Sequence, residues 1–383
     1  MPDHSDPFGK ARNQKGFLDV DCDGEIVPLV LRHEDAKEAA KDWQTYSSDN
    51  PMMCVLHSEA DVRGVRQLPI EIDPPDHGDF RALVQPLFNR PRNDKKFIEA
   101  IESLIENLVL EALEYGEIEA VRGFVLPMQS KALALLLGMP ETEADIWISW
   151  GLHVFHDRDD AAGDGRVLEK YTGSRFKAAE IEPGDDFFSY LNEVEFRGRK
   201  LTFDEKQGFA NVTFAGGRDT IINTAASIFA HLAENSESLY FLREDESRIN
   251  LAAEEFVRYV SPLTAITRTC PHAASLAGQD IPAGGRVAIC WPSANRDESV
   301  FEDPHEIQLD RNPNPHIGYG FGRHNCLGAH HARLLFRSLL KSLCKHVERM
   351  ALVESESKIE KESSYERQVG YESVHVRLFA RQA

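Results

Sequence analysis

The sequence predicts a mainly α-helical single domain, residues 1–383, with small β-sheets added. Long segments carry helical apolar spacing, strand signals are short and late, and no linker or internal repeat divides the chain. "FIEAIESLIENLVLEALEYG" (97–116) sets Ile98, Ile101, Ile105, Leu108 and Ala112 on one helical face, and Gly116 ends it. "KALALLLGMP" (131–140) is a buried helix stopped by Gly138 and Pro140. "FANVTFAGGRDTIINTAASIFAHLAENSE" (209–237) is apolar on nearly every side except for a polar knot at its middle, which puts it in the core. The strands are "RVAICWP" (286–292) and the alternating "SVHVRLF" (373–379). Pro, Gly, Asn and Asp make loops of 270–285 and 294–318, and "LGAHHARLLFRSLLKSL" (327–343) forms a late helix.

Composition narrows the function. A net charge of −20 disfavours binding to nucleic acid or to an anionic membrane. The segment "MPDHSDPFGKARNQKG" lacks a basic-then-apolar leader pattern, and no run of about eighteen apolar residues occurs, so the expected location is the cytoplasm. Cys22, Cys54, Cys270, Cys290, Cys326 and Cys344 are scattered without a CxxC pair. That fits a reducing compartment and argues against a structural zinc site.

The chemistry concentrates in "GYGFGRHNCLGAHHARL" (318–334). Gly320, Gly322 and Gly328 let the backbone approach a flat object closely. Cys326 stands where a helix begins, and amides there favour a thiolate, as do the nearby Arg323, His324 and Arg333. A phosphate loop would need a GK[ST] or GxGxxG pattern after a strand, and neither is present. A buried structural thiol is the bland alternative. A thiolate without a second cysteine or carboxylate nearby suits a metal already held by something else, of which haem iron is the obvious case.

The chain resembles the cytochrome P450 family of haem-thiolate monooxygenases, in its soluble bacterial form. The family's cysteine loop, Phe-Gly-x-Gly-x-His-x-Cys-x-Gly, stands here as Tyr319 through Gly328, with Tyr319 in place of the first Phe. The resemblance implies haem b with Cys326 as the iron ligand. It also implies propionate contacts from His77 and Arg81 in "DPPDHGDFR", from Arg268 in "PLTAITR" and from His316 in "NPHIG", with His324 of the cysteine loop also in the cofactor site. In "AGGRDT", the resemblance implies that Gly216 makes room for dioxygen while Asp219 and Thr220 relay protons to it. A buried acid and alcohol inside an apolar helix are costly unless bonded or functional, which agrees with that role. Thr220 is also placed to bond back one turn and open the helix. Glu255 and Arg258 in "EEFVRY" form the family's Glu-x-x-Arg pair, completed by Arg311 as a structural network. Leu263, Thr264, Ala265 and Ile266 are expected over the haem, with Tyr371 entering from the final hairpin.

No flavin or iron–sulfur motif is present, so the two electrons needed for each dioxygen come from outside, from a ferredoxin or flavodoxin with its reductase. Residues 311–350 hold seven Lys or Arg against Glu348 alone. Arg333, Arg337, Lys341, Lys345 and Arg349 recur every fourth residue as an oblique basic stripe suited to an acidic partner. The segments 52–71, with His57, Arg63 and Arg66, and 153–166 are polar where a pocket for a hydrocarbon would be greasy. The expected substrate is therefore small and oxygen-rich, to be hydroxylated or O-demethylated. A peroxygenase or redox-neutral enzyme of the same fold is the alternative, with a haem-binding sensor behind it.

Overall fold

The computed structural model describes residues 6–152 and 166–382, so the polar stretch 153–165 expected beside the pocket lies outside the described residues. Helix ends follow local chemistry. The Lys95–Tyr115 helix starts where the Asp94 carboxylate accepts the Phe97 N–H and stops at Gly116, φ 73°. It buries Phe97, Ile101, Ile105, Val109 and Ala112, so the predicted face is turned slightly and Ile98 and Leu108 sit at its edge. The Leu126–Leu137 helix ends at Gly138 in the left-handed region, as expected.

The long apolar segment is two helices rather than one. Phe203–Gly216 opens with a Thr202/Glu205 capping box, and Asp219–Glu234 resumes after a break at Gly217 and Arg218. Asp219–Glu234 packs on the final hairpin, while the Ala329–His346 helix packs on Lys95–Tyr115 and on Ser247–Val260. One continuous apolar core joins these elements.

Two sheets flank them. Phe17–Cys22, Glu25–Val30, Arg286–Cys290 and Ala265–Thr269 form the first in that spatial order, with Glu25–Val30 parallel to Arg286–Cys290. The second is the antiparallel hairpin Val347–Lys361 with Glu366–Ala380, extended by Glu117–Glu119. The strand predicted at 373–379 is thus part of a longer one. Among the described residues no helix is long and apolar enough to cross a membrane.

Buried ion networks pin the loops to this frame. Arg12 is bound by Asp6 at 2.8 Å and Glu298 at 3.2 Å, anchoring the first residues described. Arg63, read from sequence as a polar pocket residue, is instead sequestered between Glu59 and Glu71 and fully buried. Arg66 pairs with Asp49 at 2.8 Å, and His57 with Glu362 at 2.8 Å. Only Arg63 is satisfied by its own loop; Arg66 still lines a cavity with Asp76, Arg199 and Glu205.

Candidate active site

Cys326 follows the turn Gly322–His324 and donates its N–H to Tyr319 O at 2.7 Å. Gly322 has φ +74°, and a Cβ there would stand 2.7 Å from Ala40 O, so glycine alone lets the loop press on the His33–Lys41 helix. The sulfur is accessible, yet burial is the largest influence on its pKa and raises it. The amides of Gly328 and Ala329, with Arg81 and Arg333, pull the other way. A sulfur both accessible and desolvated opens on an internal space rather than on the outer surface.

Beside it the structure gathers His77, Arg81, Arg268 and His324. The imidazoles of His77 and His324 lie 4.1 Å apart. His77 Nε2 and both ring nitrogens of His324 are buried without a hydrogen-bond partner among the described residues. Arg268 is buried and donates to Thr267 O at 2.9 Å, while Arg81 reaches Asn325 O at 2.8 Å. Burial, then Arg81, Arg323 and Arg268, pushes the His77 pKa down to about 4. Burial, then Arg268, His77 and Arg81, takes His324 down to about 2. Burial lowers Arg268 to about 10. Orphaned donors crowded by guanidiniums make an anion site. Two carboxylates beside a thiolate would satisfy it, so these residues fit a haem with its propionates.

His316 does not join them. Its Nε2 lies 3.1 Å from Glu254 Oε2, and its Nδ1 accepts the Gly318 N–H at 3.2 Å. Glu254 also takes Arg333 at 2.7 and 2.9 Å. Although burial pushes the Glu254 carboxyl up, these partners hold it down to about 2. A carboxylate within reach claims His316, which braces the back of the cysteine loop instead. The Tyr319 hydroxyl has no hydrogen-bond partner among the described residues, and its ring packs under the Arg333 guanidinium at 4.3 Å.

At the helix break, Thr220 Oγ1 donates to Gly216 O at 2.9 Å, the back-bond expected from the sequence. A Cβ on Gly216 would meet nothing within 4 Å, whereas one on Gly217 would meet Thr213 O at 2.7 Å. Gly216 therefore faces open space inside a core helix. Gln129 Nε2 satisfies the Gly217 carbonyl at 2.9 Å, and buried Arg218 donates to Trp147 O at 2.7 Å and to Gly151 O. Asp219 begins the second helix beside that guanidinium. Sequence reading missed Gln129, although a buried amide in "LPMQSKALALLL" was a signal.

Of the expected pocket residues, Leu263 is 38% exposed and opens on space. Ala265 does not line it: strand alternation turns it to the opposite face from Arg268, into a small core with Phe8 and Val20. Ile266 stays half-buried against the cluster of Tyr46 and Ile317. Tyr371 is partly buried against the main core, with Glu234, Tyr259 and Gln368 near it. Thr264 instead carries a polar knot, accepting Arg367 at 2.9 Å and donating to Glu360 at 3.0 Å. Behind the cysteine loop, Glu255 takes both Arg258 nitrogens at 2.8 Å and Arg311 at 3.0 Å, as predicted.

The basic stripe is partly spent within the fold. Arg333 is held by Glu254, Lys341 lies 3.5 Å from Glu102, Lys345 2.5 Å from Glu106, and Arg349 stacks 3.5 Å over Phe379. Arg333, Arg337 and Lys341 still line a surface groove of about 500 Å³ with Arg92 and His330.

The family profile for cytochrome P450 matches residues 179–362. The chain is 32% identical to putative cytochrome P450 126 of Mycobacterium tuberculosis, covering 87% of this chain and 83% of that one. It is 27% identical to linalool 8-monooxygenase of Pseudomonas putida, over 91% and 89% of the two chains. A solved structure described as a carbohydrate active P450 superposes with a TM-score of 0.93 at 40% identity, over 98% of both chains.

Proposed function

The chain belongs to the cytochrome P450 family, and from that premise we propose that it oxidatively removes a methyl group from a methyl-ether sugar. It is a monooxygenase of that family, whose thiolate-ligated haem, when bound, activates dioxygen with two electrons from a separate redox partner. The observation that carries the sugar reading is the 40% identity, over nearly the whole length, to a P450 described as carbohydrate active.

Each residue then has a task. Cys326 supplies the iron ligand, and the pocket of His77, Arg81, Arg268 and His324 holds the propionates. Gly216 leaves room for dioxygen. Thr220, fixed through its bond to Gly216 O, presents its oxygen to water, and Asp219 backs it as the proton source. One oxygen atom enters a C–H bond of the methoxy group and the other leaves as water, consuming two electrons and two protons. The resulting hemiacetal divides into the sugar hydroxyl and formaldehyde.

Titrating the oxidised holoenzyme with O-methyl hexoses should shift its Soret band to shorter wavelength. The unmethylated sugar should bind about fourfold more weakly, the worth of one buried methyl. A shift with terpenes or steroids and none with any sugar overturns the reading. Thr220→Ala should keep oxidising the reductant while product per electron pair falls by roughly 100-fold; undiminished product yield would remove Thr220 from the relay.

The groove lined by Arg92, Arg337 and Lys341, with Lys341 shared with Glu102, is the docking face for the acidic electron donor. Arg337→Glu with Lys341→Glu should slow electron delivery by about tenfold and flatten its salt dependence, since opposite charges steer the encounter. Stopped-flow reduction at several ionic strengths checks this, and unchanged rates refute it. Arg333 is a poor choice for the test because reversing it would break its pair with Glu254.

A further inference from the structure

The turn between the first two strands brings a second set of metal-ligand types together, far from Cys326 in sequence. Sγ of Cys22, a carboxylate oxygen of Asp23 and a ring nitrogen of His57 all lie within 4.8 Å of one another. His57 turns Nδ1 toward Asp23 Oδ1, 3.9 Å away, while its Nε2 lies 2.8 Å from Glu362 Oε2. A carboxylate on the outer nitrogen fixes the tautomer that leaves Nδ1 free to ligate, as beside many zinc ions. The other Asp23 oxygen is held by the Ser58 N–H at 3.1 Å, which leaves Oδ1 facing His57.

We propose that Cys22, Asp23 and His57 form a Zn²⁺ site, with Glu362 orienting His57 and the fourth position left to solvent. The donor set of thiolate, imidazole and carboxylate suits zinc rather than calcium or magnesium, which take oxygen. A tetrahedral zinc needs ligand atoms about 3.5 Å apart, so the ligands must draw together by at most a little over about 1 Å, which the exposed Asp23 and half-exposed His57 can supply. The thiolate and the Asp23 carboxylate neutralise the ion. Arg286 lies near Cys22, but its charge is matched by Glu25 at 2.7 Å. On binding, the Cys22 S–H gives up its bond to Leu56 O and its proton goes to solvent.

The scattered cysteines argue from sequence against a structural zinc site; this one needs only a single thiol, because the fold brings His57 to Cys22 and Asp23. It would clip residues 56–58 to the first sheet and to the tip of the final hairpin, where Ser364 Oγ already reaches Asp19 O at 2.7 Å.

The test is calorimetric titration of chelator-treated holoenzyme with Zn²⁺ in two buffers of different ionisation enthalpy, alongside the carbon monoxide spectrum. One equivalent should bind with proton release, leaving the haem spectrum unchanged. Cys22→Ser and His57→Ala should each weaken binding more than about 100-fold, and Glu362→Gln by about 10- to 100-fold. Because Cys22 sits in the core, the surface variant Asp23→Asn is run beside it and should also bind more weakly. Failure to bind Zn²⁺, or equal affinity in Asp23→Asn and His57→Ala, overturns the proposal and leaves the sugar reading untouched.

Discussion

Cys326→Ser is expected to lose the strongly red-shifted carbon monoxide band of the reduced protein and essentially all turnover. The sulfur is offered to the internal space by the Gly328 and Ala329 amides and by Arg81 and Arg333, groups that favour an anion there. A serine hydroxyl ionises far less readily, so the same setting gives a weak neutral ligand or none. A metal site supplies several kcal/mol of catalysis, so losing its protein ligand should cost at least about 1,000-fold. The fold should survive, because the sulfur makes little of the core. A red-shifted band in Cys326→Ser would remove Cys326 from the iron.

Glu255→Gln is expected to cost about 3–5 kcal/mol, a large share of a domain's stability. One fully buried carboxylate accepts from Arg258 twice, from Arg311, from Asn314 at 3.1 Å and from the Gln308 N–H at 2.9 Å. Arg258 in turn ties Asn295 O, Pro304 O and Glu306 O, and Arg311 ties Glu302 O, so the loop leading to Cys326 hangs from this point. An amide leaves two guanidiniums buried and under-compensated. The melting temperature should fall by about 4–6 °C, and haem per chain should fall with it. A loss below about 2 °C with full haem loading would show that the network is not what holds the loop.

The features legible in the sequence were those whose chemistry is local. The Cys326 loop carries its glycines beside it, Glu255 and Arg258 share one helix face, and "AGGRDT" announces a polar interruption in an apolar helix. His77 and Arg81 were legible for the same reason, being one turn apart. What misled was pairing at a distance. His316 has the right residue type for the anion pocket, but Glu254 lies across from it and takes it. Arg63 looks like a cation offered to a substrate until Glu59 and Glu71 close on it. Ala265 lies three residues from Arg268, so a short strand sends the two side chains to opposite faces. Of the zinc ligands Cys22 and Asp23 are adjacent, but His57 lies tens of residues on and Glu362 is near the other end of the chain, so no spacing rule finds the set.

The most direct test of the account is the product balance of holoenzyme supplied with a ferredoxin, its reductase, NADH and a panel of O-methyl sugars. The account predicts formaldehyde, demethylated sugar and oxidised NADH in equal amounts for at least one member. No formaldehyde from any methyl sugar, together with coupled hydroxylation of a hydrocarbon such as linalool, would contradict it.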